Sequence, residues 1–283
     1  MTDRDMLLKV EGLRISFGSS VPVRNVSFEI PKHGRVALVG ESGCGKSLTA
    51  LSLWKDHPEV KLAYVFQNPM ESLDPVMRIG AQIQEAAEGM SRGEIVELLR
   101  KTGLKDPERV YSSYPCRLSG GQCQRAMIAM ALAAKPDLLV ADEPTTALDV
   151  TTQREVLELI DSLAAETGMA VLLITHNLGL VAGLMDTVNV MYAGKIVESG
   201  PVEDVLSDPR HPYTQGLLKA VPALDAPIDS PLADIPGTVP APYDWPTGCA
   251  FHPRCPYATE VCSSEAPPAR RCGAVRYSCH KGE

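Results

Sequence analysis

The chain has 283 residues, enough for one large domain or a domain with an appendage. A polypeptide of that length can bury about three quarters of its unfolded surface. Hydrophobic residues at 45% and charged residues at 22% are globular values that exclude global disorder. Twenty-seven Lys and Arg against 35 Asp and Glu leave a net charge of −8, which excludes the basic stripe required of a protein whose main partner is nucleic acid.

The opening Met1-Thr2-Asp3-Arg4-Asp5 is charged and no apolar block follows it, so no secretory signal is expected. Lys9–Arg14 and Val26–Ile30 alternate as strands, and Val36–Val39 is a buried strand leading into a Gly-rich turn and a helix. Ala63–Phe66, Leu138–Ala141 and Ala170–Ile174 are further apolar runs of strand length. Thr152–Ala165 carries Val156, Leu157, Ile160, Leu163 and Ala164 at helical spacing. Val188–Tyr192 and Lys195–Glu198 complete the strands. Gly168–Met185 lacks Asp, Glu, Lys and Arg, but Thr175, His176 and Asn177 at its centre would be unsatisfied in a bilayer. It is expected as a buried strand, a polar loop and a helix. Residues 1–221 therefore have the pattern of an α/β domain with a largely parallel sheet. Seven prolines between Pro222 and Pro246 mark residues 222–247 as an extended connector, and residues 248–283 hold five of the eight cysteines.

Gly40-Glu41-Ser42-Gly43-Cys44-Gly45-Lys46-Ser47 fits G-x-x-x-x-G-K-[ST] and lies after a strand and before a helix, as a phosphate-binding loop must. Its glycines let successive N–H groups point inward at phosphate oxygens, and the helix adds the positive end of its dipole. Lys46 is expected to bridge the β- and γ-phosphates and Ser47 to ligate Mg²⁺. Leu138–Glu143, an apolar strand ending in two carboxylates, complements it: Asp142 for the metal, Glu143 as general base toward water. Leu118-Ser119-Gly120-Gly121-Gln122 places a Ser and two glycines at a helix start, a second anion-binding end.

That pentapeptide, between the phosphate loop and the Asp-Glu strand, resembles the signature motif of ABC-type ATPases. The resemblance implies a P-loop ABC fold with a helical signature subdomain over about 70–135 and a small Pro/Cys-rich C-terminal extension. It implies that the signature residues cap the nucleotide of a second cassette. Gln67 resembles the Q-loop glutamine that touches the metal-bound water, Ala147-Leu148-Asp149 the D-loop, and His176 the switch histidine at the γ-phosphate. Phe17 resembles the aromatic that stacks on adenine, with a core Phe on an edge strand as its rival. Gln67–Pro75, His211-Pro212-Tyr213-Thr214 and Ile235–Pro240 narrow the likeness to ATP-binding subunits of the oligopeptide/dipeptide/nickel importer family. Membership implies ATP and Mg²⁺ as cofactors, a second identical or related cassette, two transmembrane permease subunits and an extracytoplasmic solute-binding protein. It also implies a peripheral place on the cytoplasmic face of the inner membrane. Peptides are the expected cargo, nickel or another small solute the alternative. A non-transport ABC ATPase acting on DNA or ribosomes is disfavoured by the acidic balance, the single cassette and the lack of a coiled-coil insertion.

Lys46 and Gln67 stand only 21 positions apart, closer than in most of that family, so the antiparallel β-subdomain beside the nucleotide is expected to be incomplete. The tail pattern Cys249-x5-Cys255-x6-Cys262-x9-Cys272-x6-Cys279 has no C-x2-C pair. A metal staple would suit a short segment expected to lack its own apolar core. The resemblance implies a [4Fe–4S] cluster on Cys249, Cys255, Cys262 and Cys279; zinc and free or oxidised thiols are the alternatives. Cys44, Cys116 and Cys123 are expected as small packing residues.

Overall fold

The computed structural model describes residues 5–87, 89–145, 150–221 and 234–281. Strands β1 (Met6–Phe17), β2 (Ser20–Pro31) and β3 (Arg35–Val39) precede helix α1 (Lys46–Asp56) and strand β4 (Leu62–Val65). Helices α2 (Pro69–Ser72), α3 (Ile79–Ala86), α4 (Arg92–Lys101), α5 (Pro107–Ser112) and α6 (Gly120–Ala133) follow, then β5 (Leu138–Asp142), α7 (Val150–Thr167) and β6 (Ala170–Thr175). Next come β7 (Thr187–Tyr192), β8 (Lys195–Pro201), α8 (Val202–Ser207), α9 (Pro212–Lys219), α10 (Glu260–Ser264), β9 (Ala269–Cys272) and β10 (Val275–Ser278). These elements form two compact units, residues 1–31, 35–56 and 174–283 in the first, and 32–34 and 57–173 in the second.

In the first unit, β3 pairs in parallel with β7, Val36 opposite Thr187 and Val39 opposite Val190. Both faces of β3 are covered, which is why Val36–Val39 form an unbroken apolar run rather than an alternating one. The sheet then turns antiparallel through β8, β10 and β9. The hairpin β1–β2 forms a separate sheet of two strands. Two strands are little for an antiparallel subdomain, in line with the short stretch from Lys46 to Gln67.

In the second unit, β4 and β5 run parallel, Leu62 opposite Leu138, with β6 beside β5. Helices α3–α6 enclose a core of their own that includes Ile79, Ile83, Ile95, Leu99, Val110 and Ala126. The helix starts are written locally. Ser91 and Glu94 cap α4 reciprocally, and Asp106 followed by Pro107 opens α5.

Three expectations are corrected. After β6 the backbone makes a single 3₁₀ turn, Leu178–Val181, instead of a helix: Ala182 is already extended at φ −61°, ψ 126°, and Gly183 follows at φ +73°. The Cys-rich tail does not lack apolar support: β10 adds to the edge of β8, and Phe251, Val275 and Tyr277 are buried in the first unit. Cys44 and Cys123 are buried as expected, but Cys116, on the short turn Pro115–Arg117, is exposed.

Candidate active site

The phosphate loop belongs to the first unit. β3 delivers Gly40, whose N–H donates to the Thr175 carbonyl at 3.3 Å, and α1 begins at Lys46. Two of the glycines are sterically required. A Cβ on Gly40 would lie 2.1 Å from the Met191 carbonyl oxygen. Gly45, at φ +101°, would meet the Pro22 carbonyl oxygen at 2.8 Å. Cys44 points into the core, and burial pushes its thiol pKa up despite the nearby Lys46. Lys46 is 5% exposed, and its Nζ donates to the carbonyls of Gly40 at 2.7 Å and Glu41 at 3.1 Å. The ammonium is thereby held back along the loop, in the position from which a polyphosphate would draw it. Ser42, Gly43 and Ser47 are exposed along the same loop.

The start of this loop is held by Tyr213, from the His211–Thr214 motif, and by Arg254, which no sequence motif singles out. The Glu41 N–H donates to the Tyr213 hydroxyl at 2.8 Å. The Glu41 carboxylate accepts from Arg254 Nη1 at 2.7 Å and Nη2 at 3.0 Å, a bidentate pair. Burial alone would lower the Arg254 pKa, but Glu41 and Tyr192 outweigh it and the guanidinium is held above its ordinary value. His176, at the end of β6, is exposed in this unit, and Asn177 after it caps the Leu178–Val181 turn. Phe17 ends β1 with 62% of its surface exposed, which removes the alternative of a core residue and leaves its ring face open.

The carboxylates belong to the second unit. Asp142, 7% exposed at the end of β5, accepts a hydrogen bond from the Tyr64 hydroxyl at 2.5 Å. Burial first, and then this bond, push the Tyr64 pKa far up, so the phenol remains a donor. Glu143 is buried with a left-handed backbone, φ +45°, and its carboxylate accepts from Gln67 Nε2 at 3.0 Å. A non-glycine residue in that region is strained and persists only where its surroundings fix it. Ser119 is the N-cap of α6: its Oγ accepts from the Gln122 N–H at 3.3 Å, while Gln122 Oε1 accepts from the Ser119 N–H at 3.1 Å. Leu118 anchors the turn in the core, and beside Gly120 and Gly121 the space where a Cβ would stand is open. The result is a helix start built to meet an anion. Thr146–Asp149, and with them the D-loop Asp149, lie outside the described residues.

Each unit, taken by itself, carries groups whose chemistry suits a Mg²⁺–nucleotide. The first supplies a glycine-lined loop, Lys46 and the Ser47 hydroxyl; the second supplies two buried carboxylates and a capped Ser-Gly-Gly helix start. In the tail, Cys249, Cys255, Cys262 and Cys279 line one small cavity with His252 and His280. Burial raises the thiol pKa of Cys249, Cys255 and Cys279, and neighbouring thiols add to the rise. Among the described residues, however, no three His, Cys, Asp or Glu side chains stand in a metal-holding arrangement, so the geometry gives the [4Fe–4S] set no support.

The protein matches the ABC transporter family model over residues 23–146 and the model described as the oligopeptide/dipeptide transporter C-terminal region over residues 197–262. It is 41% identical to the dipeptide transport ATP-binding protein DppD of Haemophilus influenzae, over 97% of this chain and 95% of that protein. Identity to DppD of Escherichia coli is also 41%, over 97% and 96%. The aligned span of 315 positions exceeds the 283 residues here, so that relative carries residues this chain lacks. A dimeric ATP-binding cassette in a post-hydrolysis state with ADP and phosphate matches with a TM-score of 0.59 at 25% identity, over 69% of this chain and 98% of that one. A bacterial Atm1-family ABC exporter with ATP bound matches with a TM-score of 0.63 at 26% identity, over 73% and 40%. The chain belongs to the ATP-binding subunits of the oligopeptide/dipeptide ABC transporter family.

Proposed function

We propose that this protein is the ATP-hydrolysing subunit of a peptide importer. It works as one of two cassettes, identical or related, that sandwich two ATP molecules and drive a pair of membrane permease subunits. The observation that carries the reading is the buried Lys46, held on the carbonyls of a glycine loop that tolerates no side chain at Gly40. Gly40–Ser47 grip the polyphosphate, Ser47 and Asp142 hold Mg²⁺ with Gln67, and Glu143 takes the proton of the attacking water while His176 meets the γ-phosphate. Leu118–Gln122 close over the nucleotide of the other cassette, Asp149 lies at the contact between cassettes, and Phe17 stacks on adenine. The main supports are the family membership and the local geometry of each half.

Peptide cargo follows the names of the relatives. Cassettes of this family do not touch cargo, and an extracytoplasmic binding protein would deliver the solute. No helix among the described residues is long and apolar enough to cross a membrane, so a place at the cytoplasmic face depends on the permeases. Cells lacking this gene are expected to fail on peptides as sole amino-acid source and to recover with the intact gene but not with Lys46→Ala. Loss of nickel uptake with normal peptide growth would overturn the peptide assignment. The [4Fe–4S] reading of Cys249, Cys255, Cys262 and Cys279 draws on the family likeness alone. Protein purified without oxygen that contains no iron or sulfide above trace would end it.

A further inference from the structure

We infer that Arg254 is a positioning residue for the nucleotide site, acting through Glu41 to neutralise a carboxylate that the phosphate loop itself carries. The inference rests on Gly40–Ser47 being that loop. A negative side chain at its second position is electrostatically wrong for a site that must accept a polyphosphate, since like charges in a partly desolvated site repel. The structure answers the conflict from a distant part of the sequence. Arg254 has a side chain only 4% exposed and forms a fork on Glu41, whose own side chain is 30% exposed. The other guanidinium donors are fixed too: Nε donates to the Pro236 carbonyl at 2.8 Å and Nη2 to the Ile235 carbonyl at 3.0 Å. Its cation also lies over the Tyr192 ring at 5.8 Å.

The clasp is built on elements outside the phosphate loop. Arg254 sits on the 3₁₀ turn His252–Arg254, tied by the His252 N–H to the Cys249 carbonyl at 3.0 Å and by the Arg254 N–H to the Phe251 carbonyl at 3.0 Å. Phe251 packs against Tyr192 and Tyr213, and the Tyr213 hydroxyl takes the Glu41 N–H. Backbone and side-chain groups of Glu41 are thus both held by residues that follow position 190. One face of the loop, at Glu41, is thus turned to the tail.

The test is a double-mutant cycle on MgATP affinity, measured by calorimetry on the full-length protein. Arg254→Gln leaves Glu41 charged and unpaired and is expected to weaken MgATP binding about tenfold. Glu41→Gln combined with Arg254→Gln removes the charge that Arg254 masks and is expected to restore affinity to within about threefold of the natural protein. An affinity unchanged in Arg254→Gln, or a loss that Glu41→Gln does not rescue, would overturn the inference, the latter assigning Arg254 to folding alone. Arg254→Lys keeps the charge without the fork and gives a second test should Arg254→Gln not fold: near-natural affinity supports neutralisation, a tenfold loss refutes it. Lys46→Ala distinguishes the two levels. If it still binds MgATP tightly, the loop itself has been misassigned; if it does not and Arg254→Gln does, only the clasp is wrong.

Discussion

Tyr64→Phe is the substitution in the catalytic half whose effect the geometry defines best. The aromatic ring remains, with its burial in β4 and its tilted contact with Phe66 at 4.5 Å between centroids, and a single O–H is lost. That O–H donates to Asp142 Oδ2 at 2.5 Å at a position 7% exposed. A hydrogen bond from a neutral donor to a buried carboxylate contributes about 1.5–3 kcal/mol. One decade of affinity corresponds to about 1.4 kcal/mol, so a carboxylate that must be held to meet Mg²⁺ should lose roughly 10- to 100-fold in metal affinity. The assay is a Mg²⁺ titration of ATP hydrolysis at fixed ATP, with thermal unfolding followed in parallel. The half-saturating Mg²⁺ concentration should rise at least about tenfold, while turnover at saturating Mg²⁺ stays near that of the natural protein, because the phenol orients a ligand and touches no reacting atom. A folded Tyr64→Phe protein with an unchanged Mg²⁺ midpoint would refute the assignment of Asp142 to the metal through Tyr64.

Glu143→Gln should slow hydrolysis by roughly 10²- to 10⁴-fold with ATP binding retained, since the amide keeps the size of the side chain and loses the base; unchanged steady-state turnover would show that another group takes the proton. Gly40→Ala forces a Cβ onto the Met191 carbonyl oxygen at 2.1 Å, and the variant should unfold at lower temperature and bind ATP poorly; a melting temperature and affinity equal to the natural protein would contradict the close approach. His211 is fully buried, its Nδ1 accepting the Tyr213 N–H at 3.0 Å, and burial pushes its pKa down to about 3. Because the folded value lies below the unfolded 6.5, the unfolded state binds the extra proton. Its contribution is therefore full above pH 6.5 and is lost as pH falls toward 3, by roughly 1 kcal/mol per pH unit. Glu198, whose pKa burial raises, contributes with the opposite sign at mildly acid pH. His211→Asn, with an oxygen that can still cap α9, leaves the Glu198 contribution in place. Denaturant unfolding across pH 6.5 to 4.5 should give a shallower loss for the variant, and parallel curves would refute it.

The residues legible in the sequence are those whose chemistry is local. Gly40–Ser47 carry their turn, donors and cation within eight positions, and Ser119 and Gln122 write their own capping box. Asp142 and Glu143 were legible because a short apolar run terminates in them. What the sequence hid were partners brought in by topology. Tyr64 and Asp142 are 78 positions apart and meet because β4 pairs with β5. Glu41 and Arg254 are 213 apart and meet because the tail docks on the first unit. Neither tyrosine nor arginine has a periodic or spacing signature that announces such a role.

The tail shows why composition misled. Its cysteines and prolines suggested a segment that lacks an apolar core of its own and would suit a metal staple. Yet Val275 and Tyr277 alternate with Arg276 along β10, and a strand so short needs only an existing edge to pair with. β8 supplies that edge, and the free edge beyond β10 is blunted by Arg270 and Arg271 on the outermost strand β9. Order in the tail is therefore borrowed from the unit that holds the phosphate loop, and Arg254 lies on the route along which it is borrowed. A change at the Cys-lined cavity that disturbs the Phe251–Arg254 turn would reach Glu41 through the Arg254 guanidinium and through Tyr213, against which Phe251 packs.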